Sequence, residues 1–181
     1  MSDNICAKDW IGKSDSHVEV LNDIVNTFKT KNVLEFGCGD HSTTELVNNP
    51  LTTHVTSIEM NNLSWFERVG QRFKDNSKYK ILLKLGTVEG VEWMKENTNK
   101  YDLIFMDGHG DARIEVINAA VKNTDLILAH DTEAPSYRWH LVNKQLPGWC
   151  WIDIKTYYPW TSVFTNRQDV IDYVRNKYAT L

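Results

Sequence analysis

The residues of this chain that could do chemistry gather at the ends of short apolar runs. Val33 to Phe36 is the first such run, and it closes in Glu35-Phe36-Gly37-Cys38-Gly39. Ser42 follows, with Glu45 at the spacing of a helix capping box. Gly37 and Gly39 can take backbone conformations closed to other residues, and the turn with the helix behind it offers free backbone donors to a negatively charged group. A plain strand-to-helix bend is the alternative reading. Glu59 ends the next run ~20 residues further on, where a carboxylate can accept both hydroxyls of a ribose. An exposed strand-end acid is its bland counterpart. Glycine turn and acid together point to a cofactor that contains a nucleoside.

Two further run ends carry Asp107 and the pair His130-Asp131. Adjacent parallel strands lie about 4.8 Å apart, so Asp107 and Asp131 could converge on one hard divalent cation such as magnesium. His130 then either joins as a softer ligand, which admits manganese or iron, or serves as a base. Without an ion, Asp107 can cap a turn, Asp131 can cap Thr132 and Glu133, and His130 can be a hydrogen-bonded strand-end histidine. His109 reads as a loop histidine near the cleft. The aromatic stretch from Tyr137 to Trp160 suits core and sheet faces, with Tyr137 and Trp139 best placed to reach a substrate.

These positions need elements to hold them. Strand-like runs cover Val33 to Phe36, His54 to Met60, Lys80 to Leu85, Tyr101 to Met106 and Asp125 to Ala129. Helical patterns lie between them at Thr43 to Asn48, Ser64 to Lys74, Val88 to Glu96 and Asp111 to Lys122. An earlier helix is announced by Ser16 and Glu19 as a capping box, followed by Val18, Leu21, Ile24, Val25 and Phe28 at helical spacing; Ser64 with Glu67 repeats the box. Right-handed crossovers turn this alternation into an open parallel sheet with helices on both faces. A further helix is expected from Tyr137 to Gln145. Trp149 to Tyr157 and Thr161 to Thr165 sit so close in sequence that they can pair only as an antiparallel hairpin. A last helix runs from Asp169 to Tyr178. The expected fold is α/β: a seven-stranded sheet of five parallel strands plus a C-terminal hairpin with an antiparallel strand.

At 181 residues, 41% hydrophobic and 24% charged, the chain fits one domain, 1–181, with an N-terminal segment and helix in 1–30. Residues 8–12 could fold over the cleft as a lid. A net charge of −4 and the lack of a Lys/Arg cluster argue against nucleic acid as the main partner. No apolar run approaches the ~18 residues of a membrane span, so a cytoplasmic protein is expected. Cys6, Cys38 and Cys150 have no paired-ligand spacing and read as reduced thiols. Self-association into a homo-oligomer stays open.

Over nearly its whole length the chain resembles the class I S-adenosylmethionine-dependent methyltransferases, which have a Rossmann-like sheet with a reversed last strand. "EFGCG" is similar to the first motif and implies Glu35, Gly37 and Gly39 along the methionine part of the cofactor, with Ser42 at the head of the next helix. "SIEM" implies Glu59 on the ribose. "LGTVEGVEWM" implies Thr87 and Val88 beside the adenine, and "YDLIFMDGHG" implies Asp107 at the fourth strand tip. His41-Ser42-Thr43 replaces the third glycine as a subgroup mark; a dinucleotide turn would need glycine at Ser42. Asp107, His130 and Asp131 resemble the catalytic metal set of divalent-metal-dependent O-methyltransferases of sugars and small phenolic compounds, which implies magnesium or manganese on the acceptor hydroxyl. The Asn/Asp-Pro-Pro-Tyr element of DNA amino-methylating enzymes is absent. The expectation is methyl transfer to an oxygen of a small-molecule acceptor. Lysis or transfer of another arm of S-adenosylmethionine, and a non-catalytic binding module, are the alternatives.

Overall fold

Seven short strands pair into one sheet: β1 (Asn32–Phe36), β2 (His54–Glu59), β3 (Tyr79–Leu83), β4 (Leu103–Met106), β5 (Leu126–His130), β6 (Cys150–Ile154) and β7 (Thr161–Thr165), in the order β3-β2-β1-β4-β5-β7-β6. This is a computed structural model describing residues 15–178; Cys6 and the expected lid at 8–12 lie outside the described residues. Pairing is parallel from β3 through β5, while β7 runs antiparallel to both β5 and β6. The expected five parallel strands and terminal hairpin are therefore observed. The order reverses between β1 and β4, and the carboxyl tips of strands at such a point flank a crevice.

The helices are α1 (Val18–Phe28), α2 (Ser42–Asn48), α3 (Leu63–Arg72), α4 (Thr87–Glu96), α5 (Arg113–Ala120), α6 (His140–Gln145) and α7 (Gln168–Tyr178). Every residue of β4 and β5 is buried, as covering on both faces requires. The strand period of two sorts the core into layers. Val33, Phe105 and Leu128 pack with the α1 stripe of Val20, Leu21, Ile24 and Val25, and with α2 and α7. Leu34, Phe36, Ile104 and Ile127 pack with α4 and α5 on the other face. Each fully buried Leu, Ile or Phe contributes roughly 1.5–3 kcal/mol.

The same period carries polar residues into the α1/α2 layer. Glu35 alternates with Val33, Ser57 with Val55, and His130 with Leu128, so these groups emerge beneath α1 and α2 at the carboxyl end of the sheet. The site is built on this polar margin of an otherwise apolar layer.

The capping boxes are corrected at all three helices. The N-caps of α1 and α2 are His17 and His41, neither with a side-chain cap, and α3 is capped by Asn62, whose Oδ1 accepts from Trp65 N–H at 3.1 Å. Ser16 and Ser42 are drawn instead to His130 and Glu35. A buried imidazole or acid needs a partner more than a helix end needs a hydroxyl, because exposed backbone N–H groups can fall back on water. The expected helix from Tyr137 divides into a short 3-10 turn, Pro135–Tyr137, and α6. Among the described residues no helix is long and apolar enough to cross a membrane.

Candidate functional site

The two glycines of the first turn do different work. Gly37 has φ +87°, and a Cβ there would stand 2.6 Å from the Asp107 carbonyl oxygen and 2.8 Å from Gly108 Cα. Its N–H donates to Ile58 O at 2.9 Å, and Asp107 N–H donates to Phe36 O at 2.8 Å, so the strand tips cross where only glycine fits. Gly39 is not constrained in this way. A Cβ there would have no protein neighbour nearer than 4.0 Å, and Gly39 borders a cavity of about 310 Å³ at the tips of β1, β2 and β4. Its missing side chain leaves room in that cavity.

Glu35 does not line the cavity. It is fully buried and holds the turn from below, with Oε1 accepting from Ser42 Oγ at 2.6 Å and Oε2 from Thr43 Oγ1 at 2.7 Å and Ser57 Oγ at 2.5 Å. Burial pushes its carboxyl up to about 7, against the pull of the three hydroxyls. Ser42 does border the cavity.

Glu59 forms the next wall. Its Oε1 accepts from the N–H groups of Met60, Asn61 and Asn62 at 3.1, 3.1 and 3.0 Å, which wraps the loop after β2 around the acid. Oε2 receives only Cys38 Sγ, at 3.3 Å, among the hydrogen bonds of the described residues. Trp65, with Arg68 stacked 4.1 Å from its ring, stands beside it. Thr87 and Val88 are not brought to this cavity: they border a separate depression between α4 and α5, and Val88 is 74% exposed.

Asp107, His130 and Asp131 do meet, and they meet around Arg113. The buried guanidinium places Nη2 at 3.3 Å from both Asp107 Oδ1 and Asp131 Oδ2, while Nη1 donates to His130 O at 2.6 Å and Nε to Gly108 O at 2.9 Å. Tyr137 covers it, 4.3 Å from ring centroid to Cζ, and Trp139 Nε1 donates to Asp131 O at 3.1 Å. The two aromatics therefore brace the strand tips and do not border the cavity, nor does His109. Burial alone would raise the Asp107 carboxyl, but its neighbours His130 and Arg113 outweigh it and hold the group below its ordinary range. A hard cation shared by Asp107 and Asp131 fits poorly here, since Arg113 already occupies the space between them as an internal cation.

His130 is gripped at both nitrogens. Nδ1 lies 3.3 Å from Asp107 Oδ1 and 3.6 Å from Asp131 Oδ1, and Nε2 lies 2.9 Å from Ser16 Oγ. His17 stacks edge-on against it, with ring centroids 4.5 Å apart. His17 is 2% exposed, borders the cavity, and neither ring nitrogen has a hydrogen-bond partner among the described residues. Burial and the neighbouring His130 lower it to about 4.

His17 and Arg113 are the site residues that sequence reasoning missed. A histidine just ahead of an apolar helical stripe gives no signal of its own. Arg113 does give one: a cation in the first turn of a helix opposes the helix dipole and needs a compensating anion nearby.

No family model matches the chain, and no curated protein matches it. Solved structures do. An O-methyltransferase from Bacillus cereus in complex with SAH is 16% identical, with 88% of this chain and 86% of that chain covered and a TM-score of 0.68. The O-methyltransferase TomG from Streptomyces achromogenes, involved in tomaymycin synthesis and in complex with SAM, is 15% identical over 88% and 85% of the two chains, with a TM-score of 0.65. Spermidine synthase in complex with the transition-state analogue AdoDATO is 18% identical over 93% and 68%, with a TM-score of 0.63. At these identities the likeness is one of fold, and the chain has the class I methyltransferase fold.

Proposed function

We propose that this chain binds S-adenosylmethionine at the tips of β1, β2 and β4 and transfers its methyl group to an oxygen of a small-molecule acceptor. The observation that carries the reading is the cavity between Gly39 and Glu59. A glycine bare on its cavity side faces an acid whose second oxygen is free of backbone donors, on a fold whose solved neighbours include SAM- and SAH-bound O-methyltransferases. When bound, the cofactor supplies an electrophilic methyl on a sulfonium. Glu59 Oε2 would accept the ribose hydroxyls, and the Gly37–Gly39 turn would admit the chain of the amino acid. His17 and Asp107 form the cavity wall where an acceptor hydroxyl would lie, and Asp107, backed by His130, is a base within that wall.

Arg113 between the two carboxylates weighs against metal assistance through Asp107, His130 and Asp131 together. The negative net charge favours a small acceptor over nucleic acid. The likeness to spermidine synthase supports a second reading, in which the same cradle serves transfer of another arm of the sulfonium.

Calorimetric titration with S-adenosylmethionine, with NAD as control, tests the cradle. One site per chain is expected, and Glu59→Gln is expected to weaken it by about 1.5–3 kcal/mol, or roughly 10- to 150-fold. Absence of binding would remove the reading, and an unchanged affinity in Glu59→Gln would remove the ribose contact. Product analysis separates the two chemistries: S-adenosylhomocysteine supports methyl transfer, and methylthioadenosine supports the alternative.

A further inference from the structure

We infer that His17, Asp107 and His130 form a binding site for a divalent transition-metal ion, with a ligand set different from the one the strand tips alone suggest. The inference concerns metal binding by the protein itself and stands or falls independently of methyl transfer.

Three observations meet at this point. One ligand atom from each of His17, Asp107 and His130 lies within 4.8 Å of the others, close enough that a small side-chain shift brings all three onto one ion with bonds of about 2.0–2.2 Å. His17 is a buried imidazole with neither nitrogen satisfied among the described residues, and an orphan of this kind in a native fold calls for a partner. It also borders the cavity, so an ion on it would sit at the cavity wall.

The third observation is the tautomer that Ser16 imposes on His130. Ser16 Oγ has a single proton, and the Pro159 carbonyl 3.0 Å away can only accept it. With that proton on Pro159, His130 Nε2 must donate to Ser16 Oγ, 2.9 Å away, and Nδ1 is left with its lone pair. That lone pair then faces carboxylate oxygens of Asp107 and Asp131 at 3.3 and 3.6 Å. Acceptor facing acceptor is stable only with a cation between them. Ser16 thus does for His130 what outer partners do for metal-bound histidines: it fixes the ring and turns the other nitrogen to the ion.

Asp131 stays outside the set because, among the described residues, the ligand atoms within reach of one another are those of His17, Asp107 and His130, while Arg113 contacts both carboxylates alike. Two neutral imidazoles and one carboxylate select zinc, cobalt, manganese or iron over magnesium, which prefers an all-oxygen shell.

The test uses the full chain freed of metal and titrated with cobalt(II), followed by its visible absorption and by calorimetry. One ion per chain is expected, not displaced by millimolar magnesium. His17→Ala should lower the affinity by more than about 100-fold and Ser16→Ala by about 10- to 100-fold, whereas Asp131→Asn should leave it within about 10-fold. Pulsed EPR of the unaltered chain loaded with copper(II) should show two coupled imidazoles, a readout that does not depend on any variant folding. Thermal unfolding of the metal-free variants separates a lost ligand from a lost fold. No cobalt binding, a single imidazole, or binding that survives His17→Ala and fails in Asp131→Asn would each overturn the inference.

Discussion

His17, at the head of the first helix, lies edge-on against His130, at the tip of the fifth strand, with ring centroids 4.5 Å apart. Among the described residues, one ring is held at both nitrogens and the other at neither. The pair joins a helix outside the sheet to the polar margin of the sheet, and its His17 borders the cavity that Glu59 also lines.

Gly37 and Gly39 should respond oppositely to alanine. Gly37→Ala forces a Cβ to 2.6 Å from a backbone oxygen at φ +87°, so a loss of at least about 1–2 kcal/mol in unfolding free energy is expected from the backbone conformation alone. Gly39→Ala meets no protein atom nearer than 4.0 Å and should leave the urea midpoint nearly unchanged while weakening S-adenosylmethionine binding. Equal stability losses in the two variants would show that Gly39 serves the fold and not the cavity.

Glu35 should make the protein less stable as pH rises. Its carboxyl titrates near the ordinary 4.5 when unfolded, and burial raises it to about 7 in the folded state. Between these values the folded state holds a proton that the unfolded state has released, so stability falls from pH 4.5 to 7 and stays at the lower level above that. The size is on the order of 3 kcal/mol. Glu35→Gln should flatten this part of the stability profile measured by denaturant unfolding at a series of pH values. Parallel profiles for the two proteins would mean that the three hydroxyls keep the acid ionised.

Removal of the Arg113 guanidinium leaves two carboxylates without their cation. Arg113→Met, which keeps a flexible stem under Tyr137, should cost about 3–5 kcal/mol at pH 7, with a smaller deficit in acid where the carboxylates can take up protons. A loss below about 1 kcal/mol would mean that water replaces the guanidinium at little cost.

The strands, their pairing and the hairpin were legible because continuous apolar runs and short connections report burial on both faces and strand direction locally. Glu59 and Asp107 were legible because they end such runs. The serines were read at the right positions with the wrong partners: Ser16-x-x-Glu19 has the local form of a cap, but what competes for its hydroxyl is His130, 114 residues away. Thr87 and Val88 were placed by resemblance beside the cofactor, and the structure sets them on another depression. Arg113 and His17 acquire their meaning only from neighbours on other elements, which no local pattern encodes.

The start of α1 is fastened from the far end of the chain. Ser16 donates to Pro159 across 143 residues, Tyr157 donates to Glu19 across 138, and Asp23 accepts from Tyr173 at 2.8 Å and Tyr178 at 2.7 Å. The seat of His17 therefore depends on the hairpin and α7 as well as on its own helix. The cavity wall it supplies thus rests on contacts of high sequence separation, whose closure costs more chain entropy than that of local contacts.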